Sequence, residues 1–347
     1  MSDVDHYDYV LPRELIAQEP LPNRADAKLL VVDRQAQALA ERRIRDLPEL
    51  LRPGDCLVVN DSRVLPARLL GQRIPSGGRW EGLFLAAERG LWRLIGKTRG
   101  RLAPGDQVQL TDAAGRPDLV LTFVERFAGG GWIVAPDRDE PVLAALERCG
   151  RIPLPKYIRA GQALPTDRER YQTVYAREPG SVAAPTAGLH FTEKLLELLR
   201  QQGIETARVT LHVGLGTFRP IEAPTLAEHQ MHSEWGRIDA ATVEQLARCR
   251  AAGGRIVAIG TTSVRVLESA SVGGQLVPWQ GETNLFIRPP YEFRSVDALL
   301  TNFHLPRSTL LVLVRAFGGD DLIRRAYDQA IRSEFRFYSY GDAMLIV

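Results

Sequence analysis

Residues 181–218 read SVAAPTAGLHFTEKLLELLRQQGIETARVTLHVGLGTF, and their texture decides the class of fold. Val182 to Ala184 form a short apolar run that Pro185 ends, which predicts a strand followed by a loop. Thr192 is an N-cap candidate, with Glu193 in the first turn, where an acid suits the helix dipole. Leu195, Leu196, Leu198 and Leu199 make one apolar stripe, and Gly203 stops the helix. An alternating strand follows. Val209, Leu211 and Val213 point one way; Arg208, Thr210 and His212 point the other. That polar face runs into Gly214, Gly216 and Thr217, and glycine lets a ligand approach the backbone closely. The loop from Thr186 to His190 is expected at the carboxyl end of its strand, where open α/β sheets hold ligands.

The same alternation extends through the second half. Residues 255–259 predict a strand that runs into Gly260, Thr261, Thr262 and Ser263, and a helix carries Val264 to Ser269. Residues 296–300 predict another, running into Thr301, Asn302, Phe303 and His304, with an apolar helix from Ser308. Strand and helix in alternation imply an α/β fold with a mostly parallel sheet flanked by helices. Between about residues 60 and 137 the rhythm changes. Apolar runs at 67–70, 80–86, 92–95, 107–110, 119–124 and 132–134 are separated by turn residues, with no helix between them. Such spacing predicts a small antiparallel β-barrel. Strands expected at 29–33 and 56–59 precede it, so the barrel reads as an insertion. Residues 1–60 and 150–347 are then one α/β catalytic domain, and 61–149 the inserted barrel domain. The segment 335–347 predicts strand-like alternation at Phe335 and Phe337, a turn at Gly341 and Asp342, and a final buried strand. Tyr340 and Asp342 are candidates to face the site.

Composition narrows the function. The chain has 347 residues, 45% of them hydrophobic, enough for a large core. Its net charge is only +2, but the charge is uneven. Residues 61–101 hold nine Lys or Arg against three acids, and 151–177 hold six against two. Two such blocks suit a phosphate-binding face as well as ordinary solvated surface. Cys56, Cys149 and Cys249 are far apart and in no CxxC spacing, which fits a reduced, cytoplasmic protein without a disulfide framework. The acidic, polar N-terminus is unlike a signal peptide, and the longest apolar run, Leu310 to Val314, cannot span a membrane.

Three junctions place hydroxyls, amides or histidines between a strand and a helix N-terminus, where free N–H groups favour anions. Each alone reads as an ordinary helix cap. If the strands are neighbours, His190, Thr261, Thr262, Arg265, Asn302 and His304 converge on one crevice. No GxGxxG follows a strand, and no GxxxxGK[ST] or GxSxG occurs. His229, His232 and Glu234 offer a rival reading as ligands of a metal-dependent hydrolase. A nucleic-acid-binding module without catalysis is a further rival, which the polar face at Arg208, Thr210 and His212 disfavours.

Nine motifs carry a resemblance along nearly the whole chain. They are DYVLPRELIAQEPLPNR (8–24), NDSRVLPARL (60–69), YQTVYA (171–176), AAPTAGLHFT (183–192), LHVGLGTFRPI (211–221), HQMHSEW (229–235), IGTTSVRVLES (259–269), TNFHLPRSTLLVLV (301–314) and FRFYSYGDAMLIV (335–347). Together they resemble the S-adenosylmethionine:tRNA ribosyltransferase-isomerase family of queuosine biosynthesis. Departures are few: Lys28 follows Ala27 where the family shows Ser-Arg, Pro290 stands where Gly is expected, and Phe335 where Tyr is usual. The resemblance implies an inserted barrel in an α/β domain. It implies a transferase and isomerase that moves the ribosyl part of S-adenosylmethionine onto 7-aminomethyl-7-deazaguanine at the tRNA wobble position. Epoxyqueuosine, adenine and methionine result.

S-adenosylmethionine is then a co-substrate, with no cofactor and no metal required. The partners are S-adenosylmethionine and tRNA carrying the modified base in its anticodon, with no membrane, and a monomer is expected. That chemistry needs a base for the proton beside the sulfonium and a proton donor to adenine. His190 and His212, then His304, are the proton-transfer candidates. Thr186, Thr217, Thr261, Thr262 and Asn302 are expected to hold ribose or base, and Arg265 the methionine carboxylate. Arg63, Arg68, Arg99, Arg101, Lys156 and Arg159 are expected to contact tRNA.

Overall fold

Strand Cys56–Asn60 is buried at every position, the mark of a strand covered on both faces. Its side chains divide by parity. Cys56 and Val58 join one apolar cluster, Leu57 and Val59 the other. Strand Ile256–Ile259 divides the same way, and so does Ala343–Ile346. In this computed structural model, which describes residues 3–128, 130–214, 216 and 220–347, the two clusters are the two faces of a nine-stranded sheet.

Four strands run parallel at its centre, in the order Glu205–Leu211, Cys56–Asn60, Ile256–Ile259 and Ala298–Asn302. Their carboxyl ends therefore share one rim. Helices Ala240–Ala251, Thr261–Ser269, Thr309–Gly318 and Asp320–Arg332 contribute to one cluster; helix Glu193–Gln201 contributes to the other. Thr192 caps that last helix, its Oγ1 accepting from the Leu195 N–H at 3.1 Å.

The sheet is mixed rather than mostly parallel. Beyond the central four, Ala343–Ile346 lies antiparallel to Ala298–Asn302 and parallel to Lys28–Asp33, which forms an antiparallel hairpin with Ala38–Arg43. At the other edge Glu234–Ile238 and Trp279–Thr283 add antiparallel pairs. The reason lies in the connections. One crossover helix returns the chain parallel, but two successive helices, Thr309–Gly318 and Asp320–Arg332, separate Ala298–Asn302 from Ala343–Ile346 and reverse the last strand. Reading the alternation of textures does not count helices per crossover. Residues 335–338 form no strand; only Phe337 makes a single bridge, to Ile16.

By its internal contacts the chain divides into two compact units. One comprises residues 1–63, 156–160 and 170–347; the other 64–155 and 161–169. In the second unit six strands close into an antiparallel barrel: Arg68–Ile74, Arg79–Glu88, Leu91–Thr98, Gly131–Pro136, Pro117–Phe127 and Gln107–Thr111, the last pairing back to the first. Trp80, Phe123 and Trp132 meet edge-on inside it. Gly82 and Gly96, partners across two strands, leave room for the Trp80 indole; a Cβ on Gly82 would lie 2.1 Å from the ring. The two Pro-Gly-Asp turns are wired alike: Asp55 accepts from the Arg52 N–H at 2.9 Å, Asp106 from the Ala103 N–H at 3.0 Å. No helix among the described residues is long and apolar enough to cross a membrane.

Candidate active site

Strand Ala298–Asn302 delivers Thr301 and Asn302 to the carboxyl rim, with His304 two residues beyond. Next to it, strand Ile256–Ile259 ends at Gly260, whose φ of 86° and ψ of 155° suit glycine alone. Helix Thr261–Ser269 starts there, with Thr261 and Thr262 in its first turn. The turn Thr186–His190 completes the site, though not by the expected route. Val182–Ala184 is not a strand; the short strand Glu178–Ser181 ends before it and lies outside the nine-stranded sheet. The turn reaches the rim instead through Thr186, whose hydroxyl donates to Asn302 Oδ1 at 2.8 Å.

These elements line a crevice that holds Thr186, Thr261, Thr262, Thr301, Asn302 and His304. Thr262 Oγ1 is buried there without a hydrogen-bond partner. An adjoining crevice shares Thr186, Asn302 and His304 and adds Tyr157, Phe303, Tyr338 and Ser339. Asn302 is fixed at both ends of its amide, since Nδ2 donates to the Tyr338 carbonyl at 3.1 Å. Tyr338 has a φ of 69°, an uncommon conformation for a bulky residue and the kind that clusters at functional sites.

His304 is clamped through its backbone. Its N–H donates to the Tyr327 hydroxyl at 2.9 Å, and its carbonyl accepts from the Tyr9 hydroxyl at 2.5 Å. Its Nε2 meets Thr301 Oγ1 at 2.8 Å. Burial pushes its pKa down to about 3, so the ring is neutral at physiological pH.

The other two histidines are placed differently. His190 is buried, and its nitrogens face backbone carbonyls, Nδ1 that of Ala187 at 3.1 Å and Nε2 that of Gly341 at 2.9 Å. Burial lowers its pKa, against the pull of both carbonyls. His212 lies outside the two crevices, half-buried and stacked on Trp235 with ring centroids 5.0 Å apart. Its Nδ1 is buried without a partner, and burial lowers its pKa.

Arg265 departs most from expectation. It is 2% exposed, and its guanidinium is spent on an ion pair with Glu234 and on the carbonyls of Thr283 at 3.1 Å and Leu285 at 3.3 Å. Glu234 also accepts from the Gly214 N–H at 2.8 Å. Arg265 thus holds the loop at 214 and strand Trp279–Thr283 instead of lining the crevice. The same pair withdraws Glu234 from the metal reading with His229 and His232. Asp342 is likewise structural, accepting from the backbone of Lys28 at 2.8 Å and Arg336 at 2.7 Å. Thr217 lies outside the described residues.

Of the residues expected to contact tRNA, Arg63, Arg99, Arg101 and Lys156 are exposed. Arg68 is committed to Glu81 at 2.9 Å and to the Gly161 carbonyl, and Arg159 to the Gln18 carbonyl. Tyr157, Thr301, Tyr338 and Ser339 were not foreseen. Only the Tyr-rich run 335–342 hinted at two of them, because backbone strain leaves no trace in composition.

Fold and crevice define a protein with a mixed sheet covered by helices, a closed six-stranded antiparallel barrel and a polar crevice at one rim of the sheet. Residues 4–346 match the family described as queuosine biosynthesis protein. The chain belongs to that family. Relatives named S-adenosylmethionine:tRNA ribosyltransferase-isomerase include those of Xanthomonas oryzae, 52% identical across 98% of this chain and 95% of its own, and Azoarcus sp., 51% across 98% and 96%. That of Symbiobacterium thermophilum is 49% identical across 98% of each. The crystal structure of the Thermotoga maritima S-adenosylmethionine tRNA ribosyltransferase is similar over 99% of this chain and 100% of that one, at 35% identity and a TM-score of 0.57.

Proposed function

We propose that this protein is an S-adenosylmethionine:tRNA ribosyltransferase-isomerase. It transfers and isomerises the ribosyl part of S-adenosylmethionine onto 7-aminomethyl-7-deazaguanine at the tRNA wobble position, releasing adenine and methionine and leaving epoxyqueuosine. The observation that carries this reading is identity near one half with three relatives of that name over 98% of the chain. S-adenosylmethionine is consumed as a ribosyl donor, with no separate cofactor, in a cytoplasmic monomer.

The crevice supports a division of labour. Thr186, Thr261, Thr262 and Asn302 offer hydroxyls and an amide of the kind that hold ribose and base. His304, rigidly held in the crevice with Thr301 Oγ1 on its Nε2, is the proton-transfer group we favour. His190 has both nitrogens on backbone carbonyls and acts, in this reading, by holding the turn in place. Exposed Arg63, Arg99, Arg101 and Lys156 supply phosphate contacts to tRNA.

The test is incubation with S-adenosylmethionine and tRNA bearing the 7-aminomethyl base, with adenine measured against time. Stoichiometric adenine is expected. His304→Ala at saturating substrates should lower the rate by about 10²–10⁴-fold, the usual value of positioned proton transfer. No adenine from the unaltered protein ends the proposal, and a His304→Ala rate within threefold ends that residue's role.

A further inference from the structure

A third crevice is lined by Arg24, Arg170, His190, Ser339, Tyr340 and Gly341 among others. Ser339 also lines the crevice that holds His304 and Asn302, so the two crevices adjoin at that residue.

Its chemistry is cationic. Arg170 donates to the carbonyls of Pro22, at 3.1 Å, and Leu21, while its Nε is buried with no partner. Among the described residues no carboxylate pairs with it. Arg24 donates to the carbonyls of Gln172 at 2.8 Å and Leu189 at 3.4 Å. For Arg170, carbonyl dipoles orient the guanidinium without cancelling its charge. His190 lines the crevice with each ring nitrogen facing a carbonyl oxygen. Burial lowers its pKa, with the two carbonyls and Asp342 pulling the other way, so the positive charge of the crevice is that of its arginines.

The reaction proposed above brings a substrate whose amino-acid end carries a carboxylate, which a cation suits. Arg265 is withdrawn from the task by Glu234. We infer that the crevice around Arg170 and Arg24 is an oxyanion subsite that takes the carboxylate of S-adenosylmethionine. Planar guanidinium groups suit a carboxylate because two N–H groups match its two oxygens. A phosphate of tRNA offers the same chemistry. This inference rests on the substrate assigned above, and its test separates the two.

Calorimetric titration of the unaltered protein, Arg170→Gln and Arg170→Lys decides the matter. Three probes are used: S-adenosylmethionine, its decarboxylated analogue, and tRNA at several salt concentrations. For Arg170→Gln the affinity for S-adenosylmethionine should fall at least tenfold, and that for the decarboxylated compound less than threefold. Arg170→Lys keeps the charge without the fork and should show a smaller loss with the same selectivity. It carries the test if Arg170→Gln does not fold. If S-adenosylmethionine binds unchanged while tRNA affinity falls and its salt dependence becomes shallower by about one phosphate, the oxyanion site stands and its guest is a phosphate. Equal losses for both small molecules mean a purely structural arginine and overturn the inference, as does the absence of any change. If the unaltered protein binds no S-adenosylmethionine, the assigned reaction falls, and the tRNA titration alone decides the subsite.

Discussion

His304 shows how packing sets the state of a single side chain. An isolated imidazole titrates near 6.5, and burial takes this one to about 3. Between those values the unfolded chain binds a proton that the folded protein does not. Stability from this group is therefore complete above about pH 6.5 and is lost as pH falls toward 3. Urea unfolding from pH 7 to pH 4 should show a loss that grows by up to about 1.4 kcal/mol per pH unit per such histidine. His304→Gln should flatten that slope; an unchanged slope refutes the assignment. Arg265 makes the opposite case, a charge that stays buried because Glu234 is there. Arg265→Met leaves that carboxylate buried and unpaired, which costs about 3–5 kcal/mol. Denaturant melts should report that loss, with the KM for S-adenosylmethionine unchanged in whatever fraction remains folded. A raised KM at undiminished stability would return Arg265 to substrate binding. In the sequence it is one of two charged residues in TTSVRVLES, and nothing in its spacing distinguishes a substrate ligand from half of an ion pair.

Among elements, the junction at Gly260 carries the most chemistry in the least chain. Strand Ile256–Ile259 turns into helix Thr261–Ser269 over one residue, and the hydroxyls of the crevice follow at once. Any side chain at that φ and ψ is strained by about 1–3 kcal/mol, and a Cβ would lie 3.4 Å from that of Ala187. Gly260→Ala should lower both thermal stability and adenine release, whereas Gly253→Ala, where nothing lies within 4 Å of a new Cβ, should cost only its backbone strain. Equal activity in the two variants would show that the junction has no bearing on catalysis. Two of the three expected junctions were legible because glycine, threonine and asparagine follow apolar runs at strand ends. The third was misread. Val182–Ala184 has strand composition, and the Val182 N–H donates to the Val213 carbonyl at 3.0 Å, but the segment joins no strand ladder and the turn Thr186–His190 docks by a side-chain bond. The barrel was legible strand by strand, since alternation and turn residues are local signals. The reversal of the last strand was not, because it depends on how many helices intervene.

For the molecule as a whole, the open question of charge is where it meets tRNA. Binding should weaken linearly in log affinity against log salt, with a slope of about 0.7–0.9 per phosphate neutralised. Arg63→Gln, Arg99→Gln, Arg101→Gln and Lys156→Gln should each make the slope shallower by about one contact, whereas Arg68→Gln should not, since Glu81 already holds that guanidinium. A slope near zero for the unaltered protein would remove the phosphate-contact assignment altogether.

The position of Ala343–Ile346 has a consequence for biosynthesis. It is laid between Lys28–Asp33 and Ala298–Asn302, so the hairpin built from residues translated early has no partner in the sheet until residues 343–346 have been made. On the ribosome that hairpin must wait, its apolar Leu29, Leu30 and Val32 uncovered by their final neighbours, while the central four strands can assemble ahead of it. A nascent chain arrested before residue 343 should consequently expose the N-terminal hairpin to protease and to chaperones, and release of a few more residues should protect it.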